Sequence, residues 1–336
     1  MESFIYSLNA TIPIFLVMII GGLIKKWGII DDHFVNKANK YVFNVALPFL
    51  LFADIAASDM RTGFDIRFVL YCMIVTSICF WGIWFLTEVF MKNDSMKGSF
   101  VQGAFRGSAA ILGIAFIQNM YDSTGMAPLM IVSAVPLYNI YSVIVLTFKA
   151  QPDSSEANAW DGNNGSVRKE GNNKKRNIDN IKKAFKNIIK NPIIIAIFLG
   201  LPFSILGINF PPIIDKTINN IAQTATPIAL IVIGAGFEGR KAIKKIKPAI
   251  ISSFIKLIGQ AMVFLPVAIA MGFRNQELMA ILIMLASPAT VSGYIMAKNM
   301  NNDGVLASSI IVLTTMLSAV TLTLWIFILR YMNLLA

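Results

Sequence analysis

Nine residues, Leu285-Ala286-Ser287-Pro288-Ala289-Thr290-Val291-Ser292-Gly293, place one proline, one glycine and three hydroxyls inside an otherwise apolar run. Proline withholds an N–H donor and glycine loosens a helix, so the pattern predicts a helix break. The chemistry suited to such a break is anion binding. Freed N–H groups at a new helix start carry partial positive charge and hold a carboxylate without a cationic side chain. The candidate ligands are Ser287, Pro288, Ala289, Thr290, Ser292 and Gly293. A related stretch, Arg106-Gly107-Ser108-Ala109-Ala110-Ile111-Leu112-Gly113, has two glycines and no proline, with Ser108 and Gly113 as its candidates. Small residues in both stretches also suit close helix packing, an alternative the sequence leaves open.

Polar groups at membrane depth are costly, so each is a functional candidate. Asn139, next to Tyr138 and near Tyr141, is expected to bond a carboxylate, a freed carbonyl or a neighbouring helix. Ser252, Lys256 and Gln260 form a polar stripe at i, i+4 and i+8, with Glu88 as a candidate partner of Lys256. Lys256 lies about 12 Å into its span at 1.5 Å per residue, and a snorkelling lysine is the alternative. Asn44, one turn before Pro48, reads as part of a kink or as a ligand. Asp54 reads as interfacial, and His33, the only histidine, lies in a loop with Asp31 and Asp32. No clustering of His, Cys, Asp or Glu suggests a metal, a cofactor or an enzyme centre. Cys72 and Cys79, seven apart in one apolar run, read as buried packing residues.

The elements that must position these groups follow from composition. The 336 residues are 56% hydrophobic and 14% charged, far from the roughly one-quarter charged residues of a soluble domain. Apolar runs of about 20 residues, the length that crosses a ~30 Å hydrocarbon core, recur near 5–24, 36–57, 66–90, 100–118 and 127–148. Five more lie near 190–207, 217–236, 248–271, 277–297 and 305–332. The predicted fold is therefore an all-α integral membrane protein of ten transmembrane helices, the first of them a retained span rather than a cleaved signal. Residues 149–189, rich in Asn, Gly, Ser and charge, read as a linker too polar to order itself. Its stretch 178–189 reads either as an amphipathic surface helix or as a solvated lead-in.

The net charge of +11 has its source in the positive-inside rule, and nucleic acid is not an expected partner. Loops after odd-numbered spans hold 23 of the 29 Lys and Arg residues, the opposite side five, and Lys256 lies within a span. Residues 149–189 and the Arg240–Lys247 cluster are thus expected in the cytoplasm of a cell membrane, with both termini outside.

Sliding the chain against itself gives matches at an offset of 179: Pro13 with Pro192, Gly21 with Gly200, Gly28 with Gly207, Pro48 with Pro227 and Arg61 with Arg240. Ser108 and Ala110 fall on Ser287 and Ala289, and Asn44 falls on Gln223 before Pro227. Each copy, 1–148 and 190–336, holds five spans. An odd number turns the second copy upside down, giving inverted repeats of the kind found in secondary transporters.

Val45-Ala46-Leu47-Pro48, Ala225-Thr226-Pro227-Ile228-Ala229-Leu230 with Gly234, and Ala286-Ser287-Pro288-Ala289 through Ala297-Lys298 and Thr314-Thr315-Met316-Leu317-Ser318 carry a family likeness. On these residues the chain resembles the auxin efflux carrier family of plant PIN-type carriers and bacterial malate and malonate permeases. The resemblance implies a scaffold domain of spans 1, 2, 6 and 7 and a transport domain of spans 3–5 and 8–10. It also implies that broken spans four and nine cross at a site for a small carboxylate. Elevator-like alternating access would expose that site to each side in turn, and the scaffold is where a homodimer would form. The span-four motif departs from the family's asparagine and Gly-x-Pro, having Ser108, Ala109 and Gly113-Ile114-Ala115 instead. The expected function is a secondary transporter, an efflux carrier or permease; an anion channel or a receptor on a transporter-like fold is the alternative.

Overall fold

In hydrocarbon, backbone polar groups have no water to bond, so apolar segments close their hydrogen bonds within helices. The computed structural model describes residues 2–57, 65–109, 117, 126–151, 185–208 and 210–335. Among these the regular structure is helical, apart from one isolated bridge.

The chain opens with α1 (Glu2–Lys26) and α2 (Asp32–Tyr41), the latter started by an Asp31 side chain that accepts from Phe34 N–H at 2.7 Å. A π-helical turn, Val42–Ala46, joins α2 to α3 (Leu47–Ala56). Pro48 has no N–H for the preceding turn, and the wider turn sets Leu47 N–H on the Val42 carbonyl. Next come α4 (Ile66–Phe90), α5 (Asp94–Phe105) and α6 (Ala127–Phe148). Asp65 and Asn93 cap the starts of α4 and α5.

The second part runs through α7 (Pro192–Leu206), α8 (Pro212–Ala222), α9 (Ala225–Ala235) and the short α10 (Gly239–Lys244). Gly207 takes the left-handed conformation, φ 61°, that closes α7. Then α11 (Ile246–Phe254), a second π turn at Ile255–Gly259, and α12 (Gln260–Ala270) form one continuous rod. It is followed by α13 (Asn275–Ala286), α14 (Val291–Asn299) and α15 (Gly304–Tyr331). Among the described residues, five helical rods are long and apolar enough to cross a membrane: α4, α6, Pro212–Ala235, Ile246–Ala270 and α15. Outward faces carry Ile74, Ile78 and Phe85 on α4, and Val320, Leu324 and Phe327 on α15. Such surfaces suit hydrocarbon rather than water.

Packing exchanges the two parts of the chain. Helix α1 lies against α9 and α15, and α3 lies against α7 and α8. Helix α4 packs on α5 and α6, where the Phe80 and Tyr141 rings stack at 4.4 Å. The rod of α11 and α12 packs on α15 and α13. Of the 149–189 segment, only 149–151 and 185–189 are described; the latter is helical and exposes Phe185 and Ile189.

Candidate functional site

Two helices stop short inside the fold. Helices α5 and α13 have 12 residues each, about 18 Å at 1.5 Å per residue, which is half a membrane's depth. Beyond α13, Ser287 (ψ 151°) and Thr290 (ψ 141°) are extended. Pro288 has no N–H to return to Met284, and Ala289 N–H donates instead to the Thr314 hydroxyl at 3.1 Å. Beyond α5 the chain is extended at Arg106 (ψ 127°) without a proline. The two extended pieces pair: Gly107 bridges Ala289 in antiparallel fashion, and Ser108 N–H donates to the Pro288 carbonyl at 2.8 Å. Each break thus satisfies part of the backbone that the other frees.

The carbonyl ends of both half-helices are met by one neighbour, the α11–α12 rod. Lys256 is fully buried, and its ammonium donates to the Met284 and Leu285 carbonyls at 3.1 and 2.8 Å and to Gln260 Oε1 at 3.5 Å. Tyr138 also donates to the Met284 carbonyl, at 2.9 Å. Gln260 Nε2 donates to the Ala104 and Phe105 carbonyls, at 2.6 and 3.3 Å, at the end of α5. Ser252 donates to Phe100 O at 3.3 Å one turn earlier. The expected stripe is therefore a double C-terminal cap, with an ammonium at one helix end and an amide at the other. The π turn lies between them and contains Lys256. Gly107 leaves the space this needs: a Cβ there would stand 2.8 Å from Lys256 Cε and inside Ser287 Oγ.

At the start of α14 no side chain caps the helix; Thr290 and Ser292 bond each other at 3.0 Å instead. Arg106, 5% exposed, reaches this end, donating to Ser292 Oγ at 2.7 Å, to the Met296 thioether at 2.9 Å and to Ser142 Oγ at 3.4 Å. A guanidinium has five N–H donors and a thioether is a weak acceptor, so its capacity is only partly used. No carboxylate pairs with Arg106 or Lys256 among the described residues. A cavity of about 10 Å³, room for one water, lies among Gln102, Arg106, Thr290, Gly293 and Tyr294. A carboxylate enters there only if the two breaks move apart.

The structure brings Ser108, Tyr138, Ser287, Pro288, Ala289, Thr290, Ser292, Gly293, Lys256 and Gln260 to this crossing. Ser287 Oγ is buried and unbonded. Asn139 is buried too, but its amide donates to Val135 O of its own helix at 2.9 Å and its Oδ1 is unbonded. Two expected members of the network belong elsewhere. Glu88 is not the partner of Lys256: it pairs with Lys97 at 2.9 Å and with Lys149, and accepts from Trp84 at 2.9 Å, because it ends α4 beside the basic loops. Asn44 is exposed and donates to Lys40 O at 2.9 Å across the first π turn, which makes it part of the kink. Gly113 lies outside the described residues.

Sequence reasoning missed Arg106, Gln102 and Thr314. A charge count by loop assigns Arg106 to the cytoplasmic side, whereas the structure buries it between α14 and α6. The available signal was its place, next to Gly107 within the run that matches the proline break.

Comparison with known proteins agrees with this architecture. A sequence profile described as "Membrane transport protein" matches residues 6–326. The chain is 24% identical over 331 residues to "Uncharacterized transporter YfdV" of Escherichia coli, covering 98% of this chain and 99% of that protein. It is 22% identical over 325 residues to an "Uncharacterized transporter" of Methanothermobacter thermautotrophicus, covering 96% and 98% of the two chains. The chain belongs to the membrane transport protein family, the auxin efflux carrier family whose motifs it carries, and is a multi-pass membrane protein.

Proposed function

We propose that this protein is a secondary transporter that moves small organic carboxylate anions by alternating access. One observation carries the reading: the uncapped start of α14 meets the buried, half-used Arg106 guanidinium at a crossing of two broken helices. A helix start and a guanidinium are both donors to anions, and a carboxylate accepts two parallel N–H bonds from arginine. Ser287, Thr290 and Ser292 are hydroxyls within the same crossing.

The transport cycle follows from the packing. Ten spans form two inverted repeats, 1–148 and 190–336, joined by the cytoplasmic linker 149–189. Spans 1, 2, 6 and 7 form the scaffold, and spans 3–5 with 8–10 form the body that carries the site. The reciprocal packing of α1 on α9 and α3 on α7 supports this division. Because α5 and α13 are both capped by the same rod, the site moves as one piece, and elevator-like displacement of that piece exposes it to each side.

The test is thermal unfolding of purified protein against malate, malonate, succinate, indole-3-acetate and monocarboxylates, followed by flux of the stabilising compound in proteoliposomes. Saturable flux of one carboxylate, reduced in Arg106→Gln, is expected. Flux that rises linearly without saturation makes the protein a channel. Stabilisation by cations or neutral solutes alone removes the anion reading.

A further inference from the structure

Between α1, α9 and α15 runs a groove of about 350 Å³, walled by Phe15, Met18 and Gly22 of α1, by Gly234 of α9 and Phe237 just beyond it, and by Val312 of α15. Its size falls in the range of ligand sites, roughly 300–1,000 Å³, and its side chains are apolar. Glycines make it deep: a Cβ on Gly22 would stand 3.4 Å from the Gly234 carbonyl oxygen, so the two backbones approach with no side chain between them. Along α1 the groove covers Phe15 to Gly22, about 10 Å at 1.5 Å per residue, most of the ~15 Å that one leaflet contributes to a ~30 Å hydrocarbon core. Directly beyond Gly22 the helix ends in Lys25 and Lys26.

The rim at that end is basic. Lys25 pairs with Asp32 at 2.6 Å and Lys241 with Glu238 at 2.6 Å, while Asp31 caps α2. Lys26, Arg240 and Lys298 have no ion pair among the described residues. Lys298 lies over the Tyr294 ring at 5.9 Å and stands within electrostatic reach of Lys25, Asp32 and Glu238, which ties the three basic segments into one rim. Uncompensated cations at the mouth of an apolar groove that runs into one leaflet match a lipid with an anionic head. We propose that the groove binds an anionic phospholipid of the leaflet on that side, the cytoplasmic one by the lysine and arginine count. One acyl chain lies along α1 between α9 and α15, and the basic rim holds the phosphate. The site does not depend on the transporter reading. With that reading, the acyl chain lies across the boundary between scaffold and moving body, so a bound lipid favours the arrangement seen here over the others in the cycle.

Delipidated full-length protein in detergent tests this. Phosphatidylglycerol is expected to raise the melting temperature saturably, by several degrees. Phosphatidylcholine with the same chains should act only at about tenfold higher concentration, and glycerol phosphate, the head without chains, should not act at all. Gly22→Leu fills the groove from a Cβ position that is free of clash; it should abolish the phosphatidylglycerol response while the melting temperature without lipid holds. Val312→Phe closes the groove from the α15 side if the leucine protein does not fold. Combining Lys26→Gln with Arg240→Gln should weaken the response about tenfold, since each cation near an anionic head contributes severalfold. Native mass spectrometry should find one phosphatidylglycerol retained per wild-type chain and none in Gly22→Leu. Equal responses to phosphatidylglycerol and phosphatidylcholine, or a response that survives both groove variants, overturn the proposal. So does stabilisation by glycerol phosphate alone, which makes the rim a phosphate site. A dimer that Gly22→Leu dissociates overturns it too, since the groove is then an interface between copies of this chain.

Discussion

The Ser287 hydroxyl is buried with no hydrogen-bond partner, an arrangement that ordinarily costs about 1–3 kcal/mol. Removing it should therefore not weaken the fold. Ser287→Ala is expected to hold or raise the melting temperature while weakening carboxylate affinity by about tenfold; a lower melting temperature with unchanged affinity would make the hydroxyl a packing group. Arg106 behaves in the opposite way. Its guanidinium already ties α5 to α14 and α6 through Ser292 and Ser142, so Arg106→Gln should lose flux by one to two orders of magnitude, roughly a charge-assisted bond. Arg106→Lys should recover little, because a point charge does not reproduce a planar fork. The two residues also differ in how readable they were. Ser287 is visible because Pro288 follows it and proline forces the break. Arg106 is hidden because an arginine near a span's end follows the same positive-inside statistics as a loop residue, and only the antiparallel pairing of Gly107 with Ala289 turns it inward.

At the scale of helices, the internal repeat has a mechanical meaning. Gly21 on α1 faces the backbone of α9: a Cβ there would overlap the Ile231 carbonyl oxygen, and one on Gly234 would overlap the Met18 carbonyl oxygen. The repeat mate of Gly21 is Gly200 on α7, where a Cβ would stand 3.2 Å from Ile55 Cβ and 3.3 Å from the Phe52 carbonyl oxygen on α3. Both members of the pair therefore let one part of the chain approach the other closely, as small residues do between membrane helices. Gly21→Ala or Gly234→Ala must push α1 and α9 apart and is expected to lower stability by about 1–3 kcal/mol, read as a lower melting temperature in detergent. Gly82→Ala is the control: nothing lies within 4 Å of its Cβ position, and alanine is the better helix former, so stability should hold or rise. The offset of 179 pairs these glycines in the sequence, whereas the grouping of spans 1, 2, 6 and 7 was implied only by the family resemblance. The break in α5 was less so, since Gly107 alone does not stop a helix; Gln260 on its end carbonyls and Pro288 O on Ser108 N–H complete it.

The whole molecule has two chemically different ends, each knitted by its own long-range contacts. At one, Ser99 donates to Asp303 O at 2.9 Å, Lys245 pairs with Asp303, Asn302 donates to Leu146 O at 2.9 Å, and Lys97 and Lys149 meet on Glu88. At the other, Arg67 donates to Met271 O at 3.0 Å and lies over Phe273, and Asn275 N–H bonds Leu334 O at 3.0 Å. These are the loops that the lysine and arginine count divides between cytoplasm and exterior, so the charge bias and the contacts sort the same segments. Labelling decides the orientation, since Cys72 and Cys79 are buried and should stay silent to a membrane-impermeant maleimide. Met271→Cys, at an exposed position, should react in intact cells, and Lys241→Cys only after permeabilisation. The reverse pattern inverts the protein and defeats the positive-inside argument. Reaction of both from one side means that Ile246–Ala270 does not cross the membrane; the second part of the chain then has fewer crossings than the first, and the matched inverted pair on which alternating access depends is lost.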